Sequence, residues 1–130
     1  MKITAKRLKD LKKDCDKLWA EIIKKRAGYK SELSGKPGKQ AGGDNVLNAH
    51  HIFGKPNFRL RYELDNGICV TNGEHNFGIH NAGNAEEYRE KIIRKIGIER
   101  WSRLAELKRD NGKTSIQLTK LYLEKELEKL

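Results

Sequence analysis

The feature that most constrains this chain is a histidine-bearing stretch in its middle. All four histidines fall between positions 50 and 80. His50 and His51 end one short apolar run, and His75 and His80 follow a second one. The pair Asn66-Gly67 lies between the two runs and marks a turn. Short apolar runs bounded by turn residues are typical of strands, and imidazole is the commonest metal-binding side chain. The stretch therefore predicts a metal site on two short strands and the start of a helix.

A helical pattern precedes this stretch. Apolar residues recur at intervals of three and four over residues 4–26, and Gly28 is a plausible stop signal. Residues 29–44 are rich in glycine and lysine and predict a turn followed by a basic loop. Apolar and basic residues alternate over 58–62, which indicates an extended segment.

Helical patterns also follow the histidine-bearing stretch. Amphipathic helices are expected over about 85–95 and 98–107, and a last one begins after a cap at Thr114 or Ser115. The order helix, strand pair, helices predicts an α+β chain with a small sheet. We expect a single domain of 130 residues. Its parts are an amphipathic helix over 1–28, a core over 29–83 that carries the histidines, and C-terminal helices over 84–130.

The charge of the chain bears on its partner. The formal net charge is +10, from 28 Lys and Arg residues against 18 Asp and Glu residues. This excess favours an acidic polymer as partner, above all DNA, although a solvated lysine-rich surface is the plainer interpretation. The first helix carries lysines on its polar face that could be solvated or could contact DNA: Lys9, Lys12, Lys13, Lys17, Lys24 and Lys25.

The sequence also indicates where the protein works. No stretch approaches the roughly 20 apolar residues that a membrane span requires, and the amino terminus lacks the apolar segment of a secretory leader. Cys15 and Cys69 are far apart in unlike contexts, which favours reduced thiols over a disulfide framework. We therefore expect no membrane partner and a cytoplasmic location.

The two adjacent histidines are expected to have different roles. Consecutive side chains on a strand point to opposite faces, so His50 and His51 should not face the same group. One can face a metal ion while the other acts as a base, which is the division that metal-assisted hydrolysis requires. His75 and His80 are five residues apart, not the four that align side chains on a regular helix. Either a break near Gly78 brings them together or only one of them binds the ion.

These residues resemble a known motif. His50-His51, then Asn66 in the tripeptide Asp-Asn-Gly, then an apolar strand and His75 look like the HNH motif of the ββα-metal (His-Me finger) endonucleases. The match covers about residues 31–81. It implies a ββα-metal motif, a short antiparallel hairpin plus a helix, embedded in several α-helices. It also implies hydrolysis of DNA phosphodiester bonds that leaves a 5′ phosphate and a 3′ hydroxyl.

A looser resemblance points to phage proteins. Residues 51–55, residues 59–68 and the helix with Asn84, Tyr88 and Arg89 look most like small phage-encoded members of this family, including phage recombination nucleases. That resemblance implies work in a host cytoplasm. A homodimer or a phage-encoded protein partner remains open.

The resemblance assigns a role to each residue that matches the motif. His50 would bind a single divalent cation, Mg²⁺ or Mn²⁺ before Zn²⁺ or Ni²⁺. His51 would be the general base that activates water, and Asn66 would brace the loop that holds the His51 ring. His75, with His80 as a further candidate ligand, would complete the metal site.

The chain departs from the family at the positions of a structural zinc. Many members carry two Cys-x-x-Cys pairs around the motif. Ser31 and Ser34 stand here in place of the first pair, and Thr71 and Glu74 in place of the second. Serine and threonine hydroxyls are poor zinc ligands, so we expect no structural zinc and expect Cys69 to be a buried strand residue.

Basic residues between base and brace are candidates for contact with DNA. Lys55, Arg59 and Arg61 lie where a phosphate backbone would pass, and such contacts position a protein without reading sequence. Two alternatives stay open beside a DNA endonuclease or nickase. One is a DNA-binding, packaging or recombination accessory protein whose histidine site is only structural, and the other is a nuclease that acts on RNA.

Overall fold

The described part of the chain, residues 2–79 and 83–130 of a computed structural model, combines α-helices with one small sheet. The α+β prediction is confirmed. The main elements are α1 (Ala5–Arg26), β1 (Leu47–His51), α2 (Phe58–Tyr62), β2 (Gly67–Thr71), α3 (Ala85–Ile96), α4 (Ile98–Leu107) and α5 (Ile116–Glu128). Short 3-10 helices span Lys39–Ala41 and Leu64–Asn66, and a π-helix spans Glu74–Ile79 directly after β2.

Helix α1 is the scaffold on which the sheet and α5 are packed. The Thr4 hydroxyl caps it by accepting a hydrogen bond of 3.1 Å from the Arg7 N–H, and Gly28 just beyond its end has a φ of +65°. Its apolar stripe is buried in the main core. The stripe consists of Leu11, Cys15, Trp19, Ile22 and Ile23. The helix predicted over residues 4–26 is therefore confirmed to within one residue.

The sheet is antiparallel and places its two strands in a defined register. Leu47 lies opposite Thr71, and His51 lies opposite Gly67. A Cβ atom at Gly67 would lie 2.3 Å from Ile23 Cδ1 and 2.8 Å from Trp19 Cζ2. Only glycine therefore lets α1 approach this end of the sheet, where His51 is located.

The segment between the strands differs from the extended conformation that we expected. Residues 58–62 form the short helix α2, capped by Asn57, whose Oδ1 accepts a 2.9 Å hydrogen bond from the Leu60 N–H. Phe58 and Tyr62 are four residues apart, so a helical turn brings their rings to a centroid distance of 5.0 Å. Alternation over five residues fits a strand and one helical turn equally well, and the cap and the buried Leu60 decide for the helix.

The carboxyl-terminal helices follow the predicted boundaries. Gly97, with a φ of +90°, ends α3 and begins α4. Ser115 is the cap of α5, because its hydroxyl accepts a 3.4 Å hydrogen bond from the Leu118 N–H. Leu123 of α5 is fully buried against α1. Within the described residues, none of the helices combines the length and the apolar character needed to cross a membrane.

Candidate active site

Strand β1 presents its two histidines to different parts of the molecule. His50 is 8% exposed, and its ring lies beside that of His75. His51 is half-buried on the other side of the strand, where its ring stacks on Trp19 of α1. The alternation of side chains along a strand thus separates the two imidazoles, as the sequence predicted.

The His50 and His75 rings have a separation that two ligands of one ion would also have. Their centroids lie 5.2 Å apart, and their planes are inclined by 69°. Two imidazoles that bind one ion through nitrogens about 2.1 Å from it, at a near-tetrahedral angle, have centroids about 5 Å apart. The pair therefore fits a divalent cation.

A third protein ligand is not found in the part of the chain that the structure describes. No group of three His, Cys, Asp or Glu side chains there could hold a metal ion. His80, our further candidate ligand, lies outside the described residues. His75 lies in the π-helix Glu74–Ile79, which is wound with bonds from i to i+5. The four-residue spacing describes a regular α-helix, and the alternatives that we gave for His75 and His80 stay open because His80 is outside the described residues.

His51 is held in one orientation by two contacts. Its Nε2 lies 3.0 Å from the carbonyl oxygen of Arg61, and its ring stacks on Trp19 with a centroid distance of 3.8 Å and an interplanar angle of 5°. A carbonyl oxygen can only accept, so Nε2 carries the proton and the lone pair of a neutral ring is on Nδ1.

The surroundings of His51 favour its neutral form. Burial lowers the pKa of His51 below its usual value. The hydrogen bond to the Arg61 carbonyl opposes this effect, and the positive charges of Lys55 and Arg61 add to it. A neutral imidazole with a free lone pair is the form that a general base requires.

Asn66 fastens the loop that leads from β1 to α2. It is fully buried, and its Oδ1 accepts a 2.9 Å hydrogen bond from the Phe53 N–H. Its Nδ2 donates to the carbonyl oxygens of Gly54 and Leu60, both at 2.9 Å. The residue after Leu60 is Arg61, whose carbonyl holds His51. A single side chain therefore connects the loop to the backbone that orients His51.

The three basic residues that we assigned to DNA differ in availability. The Arg61 guanidinium binds Asp16 of α1 through two hydrogen bonds of 2.9 and 2.6 Å. The Nε of Arg59 lies 3.7 Å from the Oδ2 of Asp110. Lys55 is exposed and has no ion pair within the described residues. Phosphate contact stays a prediction for all three, but Arg59 and Arg61 would first have to exchange a carboxylate for a phosphate.

A cleft of about 410 Å³ opens beside His50 and contains two cations that sequence reasoning missed. Arg89 of α3 and Lys108 at the end of α4 line this cleft together with His50 and Trp101. The Arg89 guanidinium lies 5.3 Å from the centroid of the Trp101 ring. Arg89 lies 14 positions after His75 and Lys108 lies 33 positions after it, so no regular spacing relates them to the histidines, and tertiary packing places both beside His50.

The four positions at which the resemblance would place zinc cysteines meet in one polar cluster. The Ser31 hydroxyl donates to Glu74 Oε1 at 2.7 Å, and the Thr71 N–H donates to the same oxygen at 2.8 Å. The Ser31 hydroxyl in turn accepts from the Ser34 N–H at 3.1 Å. Burial alone would raise the pKa of Glu74, but hydrogen bonds from Thr71, Ser31 and Ser34 outweigh it and lower that pKa. This polar cluster joins the loop before β1 to the turn after β2, just ahead of His75.

Removing the carboxylate from the polar cluster should destabilise the fold. Glu74→Gln is expected to lower the free energy of unfolding by about 1–3 kcal/mol, because hydroxyl and N–H donors lose a charged acceptor in a partly buried site. Urea denaturation at pH 7 measures the loss. The matched control is Glu86→Gln, since the Glu86 side chain is 82% exposed and pairs only across 3.8 Å with Arg89. That control should change stability by less than about 0.5 kcal/mol. Equal stability of Glu74→Gln and wild type would contradict this role of the cluster.

Cys69 is fully buried in β2, and burial raises its pKa to about 11. This agrees with our expectation that it is a buried strand residue.

Comparisons of the chain with protein-family models, with curated proteins and with solved structures find no match. The function has to follow from the histidines, Asn66 and the charges around them.

Proposed function

We propose that this protein is a metal-dependent endonuclease or nickase of the HNH type that hydrolyses DNA phosphodiester bonds. One observation carries the proposal. Two adjacent histidines of a single strand have separate surroundings: the His50 ring is paired with that of His75, and His51 is fixed through Nε2 to a backbone carbonyl. A purely structural metal site would give no reason to hold a second, neutral imidazole in this way.

In the proposed reaction His51 takes a proton from water at Nδ1, while Nε2 keeps its hydrogen bond to the Arg61 carbonyl. The water oxygen forms a bond to phosphorus, the bond from phosphorus to the 3′ oxygen breaks, and that oxygen leaves as a 3′ hydroxyl after taking a proton from solvent. A divalent cation held by His50 and His75 would neutralise charge on the phosphate and on the leaving oxygen. Stacking on Trp19 keeps the His51 ring in place throughout.

The charges near the two histidines support a polyanionic substrate. Arg89 and Lys108 line the cleft beside His50, and Lys55 lies close enough to His51 to lower its pKa. Cations on both sides of β1 would place a phosphate between base and metal ligands. With a net charge of +10, the whole chain favours approach to DNA.

Supercoiled plasmid tests the proposal. Wild-type protein is expected to convert it to the nicked form with Mg²⁺ or Mn²⁺, and excess EDTA should abolish conversion because the reaction then lacks its cation. Restoring the cation to the same sample should restore nicking. If the protein binds plasmid but converts none of it with Mg²⁺, Mn²⁺, Zn²⁺ or Ni²⁺, it is not a DNA endonuclease, and the accessory role with a structural histidine site becomes the better explanation. Cleavage of single-stranded RNA without nicking of plasmid would instead indicate that the same chemistry acts on RNA.

A further inference from the structure

One face of α1 carries exposed lysines beside the candidate active site. Lys9, Lys12 and Lys13 are spaced so that they share a face of the helix, and all three are exposed. They line a cleft that also contains Arg61. A neighbouring cleft of about 580 Å³ shares Lys12 and Arg61 with the first. Lys55 and Lys113 line this second cleft. We call Lys9, Lys12, Lys13, Lys55 and Lys113 the lysine track.

The lysine track is continuous with the surroundings of His51. Trp19 of α1 stacks on His51, and Asp16, about one turn earlier, holds the Arg61 side chain. Lys12 and Lys13 lie about one turn before Asp16, and Lys9 lies about one turn before them. At 1.5 Å per residue, the ten residue steps from Lys9 to Trp19 span about 15 Å of helix axis. One strand of B-DNA carries about four phosphates over that length of duplex axis.

The charge of the lysine track is not neutralised by the protein. None of its five lysines forms an ion pair within residues 2–79 and 83–130. Asp16 is the single acidic residue among the described residues that line the two clefts, and it already binds Arg61. Lys120 of α5 shows the contrast, since it lies 3.2 Å from Asp14 on another face of α1. Five unpaired positive charges on one continuous surface fit a polyanion.

We propose that the lysine track binds the phosphate backbone of duplex DNA beside the scissile bond. This inference rests on the proposed nuclease function and extends it, because it places DNA along α1, outside the residues that hold base and metal. An anionic lipid surface fits less well. The apolar stripe of α1 is buried against the sheet and α5, so the helix has no apolar face to insert into a bilayer.

Salt dependence of DNA binding tests the lysine track. A fluorescein-labelled 30-base-pair duplex is titrated with the full chain in EDTA, so that no cleavage occurs, at several salt concentrations between about 50 and 200 mM. The test variant is Lys9→Gln/Lys12→Gln/Lys13→Gln. Each lost phosphate contact lowers the slope of log affinity against log salt by about 0.9, so we expect a decrease of about 2–3. Glutamine keeps a helix propensity close to that of lysine.

The matched control removes the same charge elsewhere. Lys17, Lys25 and Lys125 are exposed, form no ion pair within the described residues and line neither cleft. Lys17→Gln/Lys25→Gln/Lys125→Gln should change the slope by less than 1. Equal slopes for the test and control variants would overturn the lysine track. If the triple test variant melts early, Lys12→Gln and Lys113→Gln, each alone and on different elements, should each lower the slope by about 0.9.

The outcomes separate this inference from the proposed function. If the wild-type protein never nicks plasmid, but the salt slope falls in the test variant and not in the control variant, the lysine track binds DNA and the protein is not a nuclease. A wild-type protein that nicks plasmid, and whose slope is the same in the test and control variants, is a nuclease without the track. Vesicles of anionic lipid serve as the competing partner. If vesicles displace the duplex when both are present at the same concentration of negative charge, the lysine track is assigned to membranes instead.

Discussion

Replacing His51 with alanine is expected to slow the nicking of supercoiled plasmid by about 10²–10⁴-fold, the usual contribution of a positioned general base. His51 has its Nε2 fixed to the Arg61 carbonyl and its pKa lowered by burial, so its Nδ1 lone pair is available to take a proton from water. The stacked Trp19 ring holds the imidazole in the orientation that this role requires. The nicking rate at saturating Mn²⁺ measures the loss.

The comparison with His75→Ala makes this test specific. His75→Ala should slow nicking and also weaken Mn²⁺ binding by about 10–100-fold, since it removes one ring of the candidate ligand pair. His51→Ala should slow nicking with Mn²⁺ affinity unchanged. Thermal melting of both variants identifies any loss of folding. A His51→Ala variant that nicks as fast as wild type would remove His51 from the role of base.

The alternation of side chains along a strand is the part of the site that could be read directly from sequence. It separates His50 from His51 whatever the rest of the fold does, because the side-chain period of a strand is fixed. What surrounds each ring could not be read in this way. Trp19 lies 32 positions before His51, and its apolar spacing indicates only that it belongs to a core stripe. The Arg61 carbonyl is a backbone atom, which no residue pattern marks.

The sequence shows that no thiolate stands where the resemblance would place zinc cysteines, but it does not show how these positions interact. Hydroxyls at Ser31, Ser34 and Thr71 predicted only the loss of thiolates. The structure shows that the carboxylate of Glu74, at the fourth position, receives hydrogen bonds from both halves of the cluster. A charged acceptor shared by several donors can fix a loop in much the way that a bound ion does, although each of its bonds contributes only about 1–3 kcal/mol.

The net charge follows directly from the sequence, but the positions of the charges that could contact a partner do not. From the sequence alone, Lys55, Arg59 and Arg61 are equally good candidates for phosphate contacts, yet Arg61 and Arg59 are paired with Asp16 and Asp110. The acids are distant in sequence and approach only because α2 packs near α1 and near the end of α4. Composition thus predicts a polyanionic partner, whereas the positions that meet it depend on which cations the fold has already neutralised.

Asn66→Ala is expected to lower the free energy of unfolding by about 3–4 kcal/mol, more than the loss expected for Glu74→Gln. The change removes the Asn66 partner from three backbone groups in buried or partly buried positions: the Phe53 N–H and the carbonyl oxygens of Gly54 and Leu60. Asn66→Asp keeps the shape but should be nearly as harmful. Its carboxylate can still accept from Phe53 but cannot donate to the two carbonyls, which it would repel.

The matched control for Asn66 is Asn48, which also bonds through its amide but at the surface. Its Nδ2 donates to Asn72 Oδ1 at 3.0 Å in an exposed position, so Asn48→Ala should cost less than about 0.5 kcal/mol in urea denaturation. Activity at a temperature where each variant is folded then separates stability from positioning. If Asn66 orients His51 through the loop, a folded Asn66→Ala protein should bind Mn²⁺ as wild type does and nick plasmid at least about 10-fold more slowly. Wild-type nicking by that folded protein would leave Asn66 with a structural role alone, and wild-type stability would show that its three hydrogen bonds are not needed to hold the loop.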